Sequence, residues 1–199
     1  MHKYTGCFKI LKKSVRIGLV LLLTFKFNLI KHLQTDRVFI AAYAISHEEE
    51  NDSFREFLKH TDGEIIDSLV QQLNKTIEPL IDCTTCGACC KQLMINVKKE
   101  EAEKLSNTLN ISLTEFKENF LEESLQGQLI INQIPCHFLE GTRCSVYENR
   151  FTECREFPHL DRKNFKDRLF GTLVHYAMCP IIFNVVEELK IETGFKELV

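Results

Sequence analysis

The chain has 199 residues, 44% of them hydrophobic, and its 25 Lys and Arg nearly balance its 28 Asp and Glu to a net charge of −3. This length and apolar content suffice for one well-packed domain with appendages. The balanced charge excludes the strongly basic surface with which proteins bind nucleic acids, so we expect no nucleic-acid partner.

The first 45 residues form a basic and apolar extension. Its basic residues are Lys9, Lys12, Lys13 and Arg16. The apolar stretch at 17–30 is interrupted by Lys26 and Asn28, so its unbroken core is too short to span a bilayer unaided. The Ala42-Tyr43-Ala44 triplet lies too far downstream to be a signal-peptide cleavage site. Three interpretations stay open: a helix that contacts a membrane surface through residues 9–30, a packed N-terminal helix, and a non-native extension from an upstream start codon.

From residue 46 to residue 199 we expect a single domain that opens with helices. Three capping-box pairs predict helix starts: Ser46 with Glu49, Thr61 with Glu64, and Ser112 with Glu115. The second start leads into the clearest helix, which ends at Pro79. Its apolar residues recur at helical spacing: Ile65, Ile66, Leu69, Val70, Leu73 and Ile77. This helix leads directly into a cysteine-rich segment.

Beyond the cysteine-rich segment, the pattern predicts short elements joined by long loops. Residues 93–97 form a short extended piece, 99–109 and 113–120 a pair of polar helices, and 129–134 a β-prone run. Glu140-Gly141-Thr142 has turn composition, and a small hairpin there would bring Cys136 and Cys144 together. One or two helical turns follow at 146–154, and Pro180 begins a closing helix to about Lys190. The predicted fold is mainly α with a small β-hairpin (α+β), metal-stapled, with long loops that carry the cysteines.

Eight of the nine cysteines lie in the second half of the chain, and four of them form the octapeptide Cys83-Thr-Thr-Cys86-Gly-Ala-Cys89-Cys90. Thiols at this spacing on a turn-rich segment can converge on one metal ion. A disulfide scaffold is the main alternative, but the chain has an apolar core of its own and needs no covalent staples. We therefore expect zinc or iron, held by thiolates that a reducing cytoplasm keeps available. The candidate ligands are Cys83, Cys86, Cys89, Cys90, Cys136, Cys144, Cys154 and Cys179.

Eight thiolates make two sets of four, which suits two tetrahedral zinc sites or two iron–sulfur clusters. The number is equally compatible with one site of four cysteines and four thiols that bind no metal. A simple ferredoxin module is excluded, because Leu93 stands where its fourth cysteine would fall. One of the adjacent Cys89 and Cys90 is expected to join Cys83 and Cys86, while the other reaches towards the four distant cysteines.

The cysteine pattern resembles that of the YkgJ-type CxxCxxCC family. The octapeptide is followed in the family's order by Pro135-Cys136-His137-Phe138-Leu139, by Cys144-Ser-Val-Tyr147-Glu-Asn-Arg150, by Cys154-Arg155-Glu-Phe157-Pro158 and by Cys179-Pro180. The resemblance covers about residues 80–182, which we take as the metal-binding core. It departs at Phe151, where the family usually has Pro. Members are described as zinc- or iron-chelating, and a flagellin lysine N-methylase is similar to them.

Two functions follow as expectations. The first is a zinc- or iron-chelating protein whose metal sits in a closed, structural site and presents a surface to a protein partner. The second is an iron–sulfur protein, with a 4Fe-4S cluster, that has redox or methyltransferase-related activity. Arg155, inside the Cys-Arg-x-Phe-Pro box, is the candidate for hydrogen bonds to the metal-bound sulfurs. We expect no metal ligation from His137, His159 and His175, because eight cysteines already fill two tetrahedral sites.

Overall fold

The computed structural model describes residues 33–196. The predictions for residues 9–30 therefore lie outside the described residues. Among the described residues, no helix is both long and apolar enough to cross a bilayer. The structure confirms a mainly helical fold with a few small antiparallel strands.

Three helices lead to the cysteine-rich segment: α1 (Arg37–Ser46), α2 (Glu48–Lys59) and α3 (Gly63–Ile77). Asp36 caps α1 by accepting hydrogen bonds from the backbone N–H groups of Val38 and Phe39. Ile66, Val70, Leu73 and Ile77 of α3 are buried, as their spacing predicts, whereas Ile65 is 59% exposed. A 3₁₀ turn, Glu78–Leu80, ends the helix at Pro79.

Two of the three predicted helix caps are wrong. Ser46 ends α1 instead of capping α2, because its hydroxyl donates to the carbonyls of Ala42 and Tyr43 behind it. Asp62 caps α3 in place of Thr61. The hydroxyl of Thr61 donates to the Phe57 carbonyl of the preceding helix.

The middle of the chain forms two helices and a small sheet. Helix α5 (Lys99–Thr108) and helix α6 (Leu113–Phe120) follow the short helix α4 (Cys83–Cys86), and Ser112 caps α6 as predicted by accepting from the Glu115 N–H. Strand β3 (Leu129–Ile131) lies between β1 (Asn96–Val97) and β2 (Leu121–Glu123), antiparallel to both. The buried residues of this part, among them Phe116, Phe138 and Phe151, form one apolar cluster against which Cys136, Cys144 and Cys154 pack.

The predicted hairpin is present, but its strands are β4 (Leu139–Glu140) and β5 (Arg143–Cys144), not the β-prone run at 129–134. After a 3₁₀ turn, Tyr147–Asn149, the chain forms helices α7 (Thr152–Glu156) and α8 (Phe165–Val174). The closing helix α9 (Pro180–Glu192) begins at Pro180 as predicted and is mostly buried, since it packs against α3.

Candidate metal centre

The octapeptide makes a tight reversal that gathers its four thiols. Asp82 caps α4, because its carboxylate accepts from the N–H and the hydroxyl of Thr84 at 2.9 and 2.6 Å. Gly87 ends α4 in the left-handed conformation, at φ +62°. A Cβ at Gly87 would lie 2.8 Å from the carbonyl oxygen of Thr142. Only glycine therefore allows the octapeptide to lie directly against the β4–β5 hairpin.

The hairpin brings two distant cysteines to the octapeptide. In the antiparallel pair, Cys144 stands opposite Leu139. The Cys136 N–H donates to the Cys90 carbonyl at 2.8 Å, which ties the approach to the hairpin directly to the octapeptide. The backbone thus fixes where Cys136 and Cys144 enter the site.

Two carboxylates, one on α5 and one on α7 itself, hold helix α7, which carries Cys154. Glu101 of α5 accepts from the N–H and the hydroxyl of Thr152, both at 2.6 Å. Glu153 of α7 reaches across to strand β1, where it accepts from the backbone N–H and the side-chain amide of Asn96, both at 2.8 Å. These four bonds anchor the first two residues of α7, immediately before Cys154.

Six of the eight predicted ligands line a single cavity of about 120 Å³. They come from four separate stretches of chain and are Cys83, Cys89, Cys90, Cys136, Cys144 and Cys154. The other two predicted ligands, Cys86 and Cys179, do not line the cavity but lie near it. Cys86 raises the pKa of Cys83. Cys83 in turn raises the pKa of Cys179, which is buried just before α9. All eight residues thus converge on one region.

Six of these thiols line one cavity, but their sulfur atoms are too far apart to bind one metal ion without moving. Among residues 33–196, no three His, Cys, Asp or Glu side chains stand at the mutual distances of a metal-binding group. The donor set nevertheless fits zinc or iron, since thiolates are preferred ligands of both. A shared cation would have to shorten the distances between the sulfur atoms.

Burial keeps most of these thiols neutral. It raises the pKa of Cys154 and of Cys179 to about 12, and it also raises those of Cys136 and Cys144. Cys89 is the exception, because its hydrogen bond with the neighbouring Cys90 thiol lowers its pKa to about 7. Metal binding at the other positions must therefore release protons.

Arg150 is the cation whose charge acts on the thiols. It lowers the pKa of Cys89, and it opposes the rise in the pKa values of Cys144 and Cys154. Its guanidinium carbon lies 3.8 Å from the ring centroid of Tyr147, and Nη1 donates to the Tyr147 carbonyl at 2.9 Å. The sequence did not single out Arg150. The spacing of the cysteines does not indicate which of the neighbouring arginines lies close to the thiols.

Arg155, which the sequence favoured, also lines the cavity. Its Nη2 lies 3.9 Å from the Glu101 carboxylate, and its side chain is 41% exposed. A hydrogen bond from Arg155 to a metal-bound sulfur stays a prediction. The three histidines lie elsewhere: His137 contacts Asn132 at 2.6 Å, and His159 and His175 line a second cavity.

One comparison with known proteins gives a match. Residues 82–172 match the family model named CxxCxxCC and described as a "putative zinc- or iron-chelating domain". The matched segment holds seven of the eight clustered cysteines and ends before Cys179. No curated protein and no solved structure matches the chain. Residues 82–172 are therefore similar to the domains that this family model describes as zinc- or iron-chelating.

Proposed function

We propose that this protein binds zinc or iron through cysteine thiolates in a closed site whose role is structural. The observation that carries the proposal is the cavity of about 120 Å³ into which six thiols from four stretches of chain converge. Packing alone does not account for six thiols at one cavity, and backbone groups of Phe138 and Val146 form hydrogen bonds with the Cys136 and Cys144 sulfurs that lower their pKa values, as they would for metal-bound thiolates.

The composition of the cavity wall supports a structural role. Besides the cysteines, it presents mainly apolar side chains and two arginines, and Glu78 supplies its single carboxylate. A catalytic zinc site normally keeps one position open for water, whereas four thiolates fill the tetrahedral coordination of zinc. Arg150 and Arg155 would offset the negative charge of such a site and donate to its sulfurs.

The electrostatic neighbours of the thiols support a division of the eight cysteines into two groups that Cys89 bridges. Cys179 is influenced by Cys83 and Cys89, and Cys83 is influenced by Cys86 and Cys89. We therefore assign Cys83, Cys86, Cys89 and Cys179 to the first group. The second group is Cys90, Cys136, Cys144 and Cys154: Cys136 and Cys144 raise the pKa values of Cys90 and Cys154, although Cys89 acts on all four members as well. Two groups of four correspond to two metal ions.

An iron–sulfur protein with redox or methyltransferase-related activity is the second candidate. The size of the cavity favours this candidate, because about 120 Å³ exceeds what one bare ion needs. A cluster also requires four cysteine ligands, which either group offers.

Anaerobic purification followed by elemental analysis, sulfide assay and an absorption spectrum tests both candidates. Zinc or iron without acid-labile sulfide, together with loss of folded structure in residues 80–182 on chelation, supports the structural site. Iron with about four sulfides per site and a visible absorption band supports the cluster instead. Fully folded protein that contains no transition metal would contradict both.

A further inference from the structure

A second cavity, whose lining includes basic side chains, lies beside the cysteine site. Its volume is about 330 Å³, within the range of small-molecule sites. Phe157 lines both cavities, so that they share one wall. Cysteine side chains do not contribute to its lining, which consists of parts of α7, α8 and α9, the loop between α7 and α8, His175 and residues 93–95. Its one carboxylate, on Glu153, already accepts two hydrogen bonds from Asn96.

The lining of this cavity includes cationic and imidazole groups. They come from Arg162, Arg168, His159 and His175. Arg168 donates Nε, Nη1 and Nη2 to the carbonyls of Lys163, His159 and Arg162, and these bonds use three of the five guanidinium N–H groups, so that two are left for a ligand. The Arg162 guanidinium is paired through Nη2 with the exposed Glu156 carboxylate, and its other N–H groups are available to a ligand.

An unsatisfied polar atom is a second sign of a missing partner. His159 Nδ1 is buried without a hydrogen-bond partner in the described residues, and the nearest carboxylate oxygen, on Glu156, is 4.0 Å away. A buried ring nitrogen without a partner costs free energy unless a ligand or water satisfies it. His159 also holds a left-handed backbone, at φ +60°, which places it at the turn between α7 and α8.

Much of the remaining lining is apolar. It is formed by Leu93, Ile95, Phe157, Pro158 and Ile182. The cavity therefore pairs guanidinium donors, which bind carboxylates and phosphates in a bidentate manner, with an apolar surface of the size of a ring or a short chain.

We propose that this cavity binds a small organic anion, in which a carboxylate or phosphate group contacts Arg162 and Arg168 and an apolar body packs against Phe157 and Ile182. Binding at this site does not depend on the identity of the metal. A failure of this proposal would therefore leave the metal-binding function unaffected, and a failure of the metal-binding function would leave this proposal unaffected.

Gly171 offers a way to close the cavity without damaging the fold. It lies on α8 and lines the cavity, and a Cβ placed there meets no atom within 4 Å. Gly171→Leu would extend a side chain into the cavity, whereas Gly171→Ala leaves most of the space open. Both replacements favour the helix, since glycine is a poor helix former, so that the pair differs in cavity volume and not in folding.

Isothermal titration calorimetry on the full-length, metal-containing protein tests the proposal with phenyl phosphate, benzoate and phenol. We expect saturable binding of phenyl phosphate or benzoate, with the tighter of the two identifying the ligand as a phosphate ester or a carboxylate, and at least tenfold weaker binding of phenol. Arg162→Gln should weaken anion binding about tenfold or more, because a charge-assisted hydrogen bond is lost. Arg37→Gln, the same charge change on exposed α1, should leave it unchanged.

Gly171→Leu should abolish anion binding while Gly171→Ala retains it. Phenol that binds as tightly as the anions, the absence of saturable heat with both anions, or unchanged binding in Gly171→Leu would each overturn the proposal.

Discussion

Cys89 and Cys90 hold their sulfur atoms 4.0 Å apart, at hydrogen-bonding distance, so that the Cys90 thiol can donate to the Cys89 sulfur once Cys89 is ionised. This bond, with help from the nearby Arg150, lowers the pKa of Cys89 to about 7, and it raises the pKa of Cys90. One thiolate is therefore present near neutral pH among thiols that stay protonated. Cys89 is the ligand most ready to capture an arriving cation.

The first prediction concerns the reactivity of Cys89. In reduced, metal-free protein at pH 7, we expect iodoacetamide to label Cys89 roughly five- to tenfold faster than an ordinary thiol, because the thiolate is the reactive form. The rate should rise with pH to a midpoint near 7, as followed by fragment-ion mass spectrometry of the octapeptide.

Two arginine variants control this experiment. Arg150→Gln should move the midpoint to higher pH, because it removes a charge that lowers the pKa of Cys89. Arg143→Gln removes an exposed charge on β5 and should leave the midpoint unchanged. Labelling that begins at Cys83, whose pKa is raised to about 11, would contradict the assignment of the thiolate to Cys89.

The second prediction tests the two groups of four ligands. If each group holds one metal ion, Cys90→Ser and Cys154→Ser should each remove the same single equivalent, and combining them should remove no more. Cys154→Ser combined with Cys179→Ser should remove both equivalents, since these residues belong to different groups. Elemental analysis per mole of protein measures the outcome, and non-additive loss in the last pair would show that the eight thiols serve one site.

The helices of this chain and the set of cysteines expected to meet could be predicted from sequence, whereas the tertiary contacts that bring these cysteines together could not. Helices α3 and α9 follow from apolar periodicity and from Pro180, both of which act within a few residues. Strand β3 pairs on both sides, with Asn96–Val97 and with Leu121–Glu123. Pairings between such distant segments produce no local pattern in the sequence. The hydrogen bond from Cys136 to Cys90 is equally invisible in the spacing of the residues.

The third prediction is that metal-free protein loses stability in alkali. Burial raises the pKa of Cys154 and Cys179 to about 12 in the folded protein, against about 8.5 in an unfolded chain. As the pH rises, the unfolded chain therefore loses these thiol protons before the folded protein does. The contribution of the two protonated thiols to the stability of the folded protein is complete below about pH 8.5 and is lost as the pH rises towards 12.

Thermal denaturation between pH 8 and pH 11 measures this effect, with reductant and chelator present. The unfolding temperature of metal-free protein should fall steadily over this range, and Cys179→Ala should make the fall shallower. Metal-loaded protein should change less, because its thiolates are already deprotonated. An equal slope in Cys179→Ala would contradict the attribution to this thiol.

The fourth prediction concerns the contact between the octapeptide and the hairpin. Gly87→Ala places a Cβ 2.8 Å from the Thr142 carbonyl oxygen and 3.2 Å from a methyl carbon of Leu139, in a left-handed backbone. We expect it to destabilise the metal-loaded protein by at least about 2 kcal/mol and to lower its metal content, because the hairpin must move away from the octapeptide.

Gly141→Ala is the matched control, since Gly141 has a similar φ of +66° but a Cβ there meets nothing within 4 Å. It should cost only the backbone strain, about 1 kcal/mol, and leave the metal content unchanged. Urea denaturation and elemental analysis compare the two variants. Equal losses in both would mean that the close approach of Thr142 has no effect on the site.

The last prediction concerns the buried ion pairs that hold α9, the helix that begins beside Cys179. Lys190 is 5% exposed, and its ammonium group lies 2.9 Å from Glu50 and 2.8 Å from Glu187. Lys190→Met would leave both carboxylates without their cation in a largely buried place, so we expect a loss of about 3–5 kcal/mol in the free energy of unfolding. Lys59→Met removes an exposed lysine paired with Glu56 and should cost at most about 1 kcal/mol. Urea denaturation of both variants in the metal-loaded state measures the difference, and similar costs would show that burial adds nothing to the Lys190 pairs.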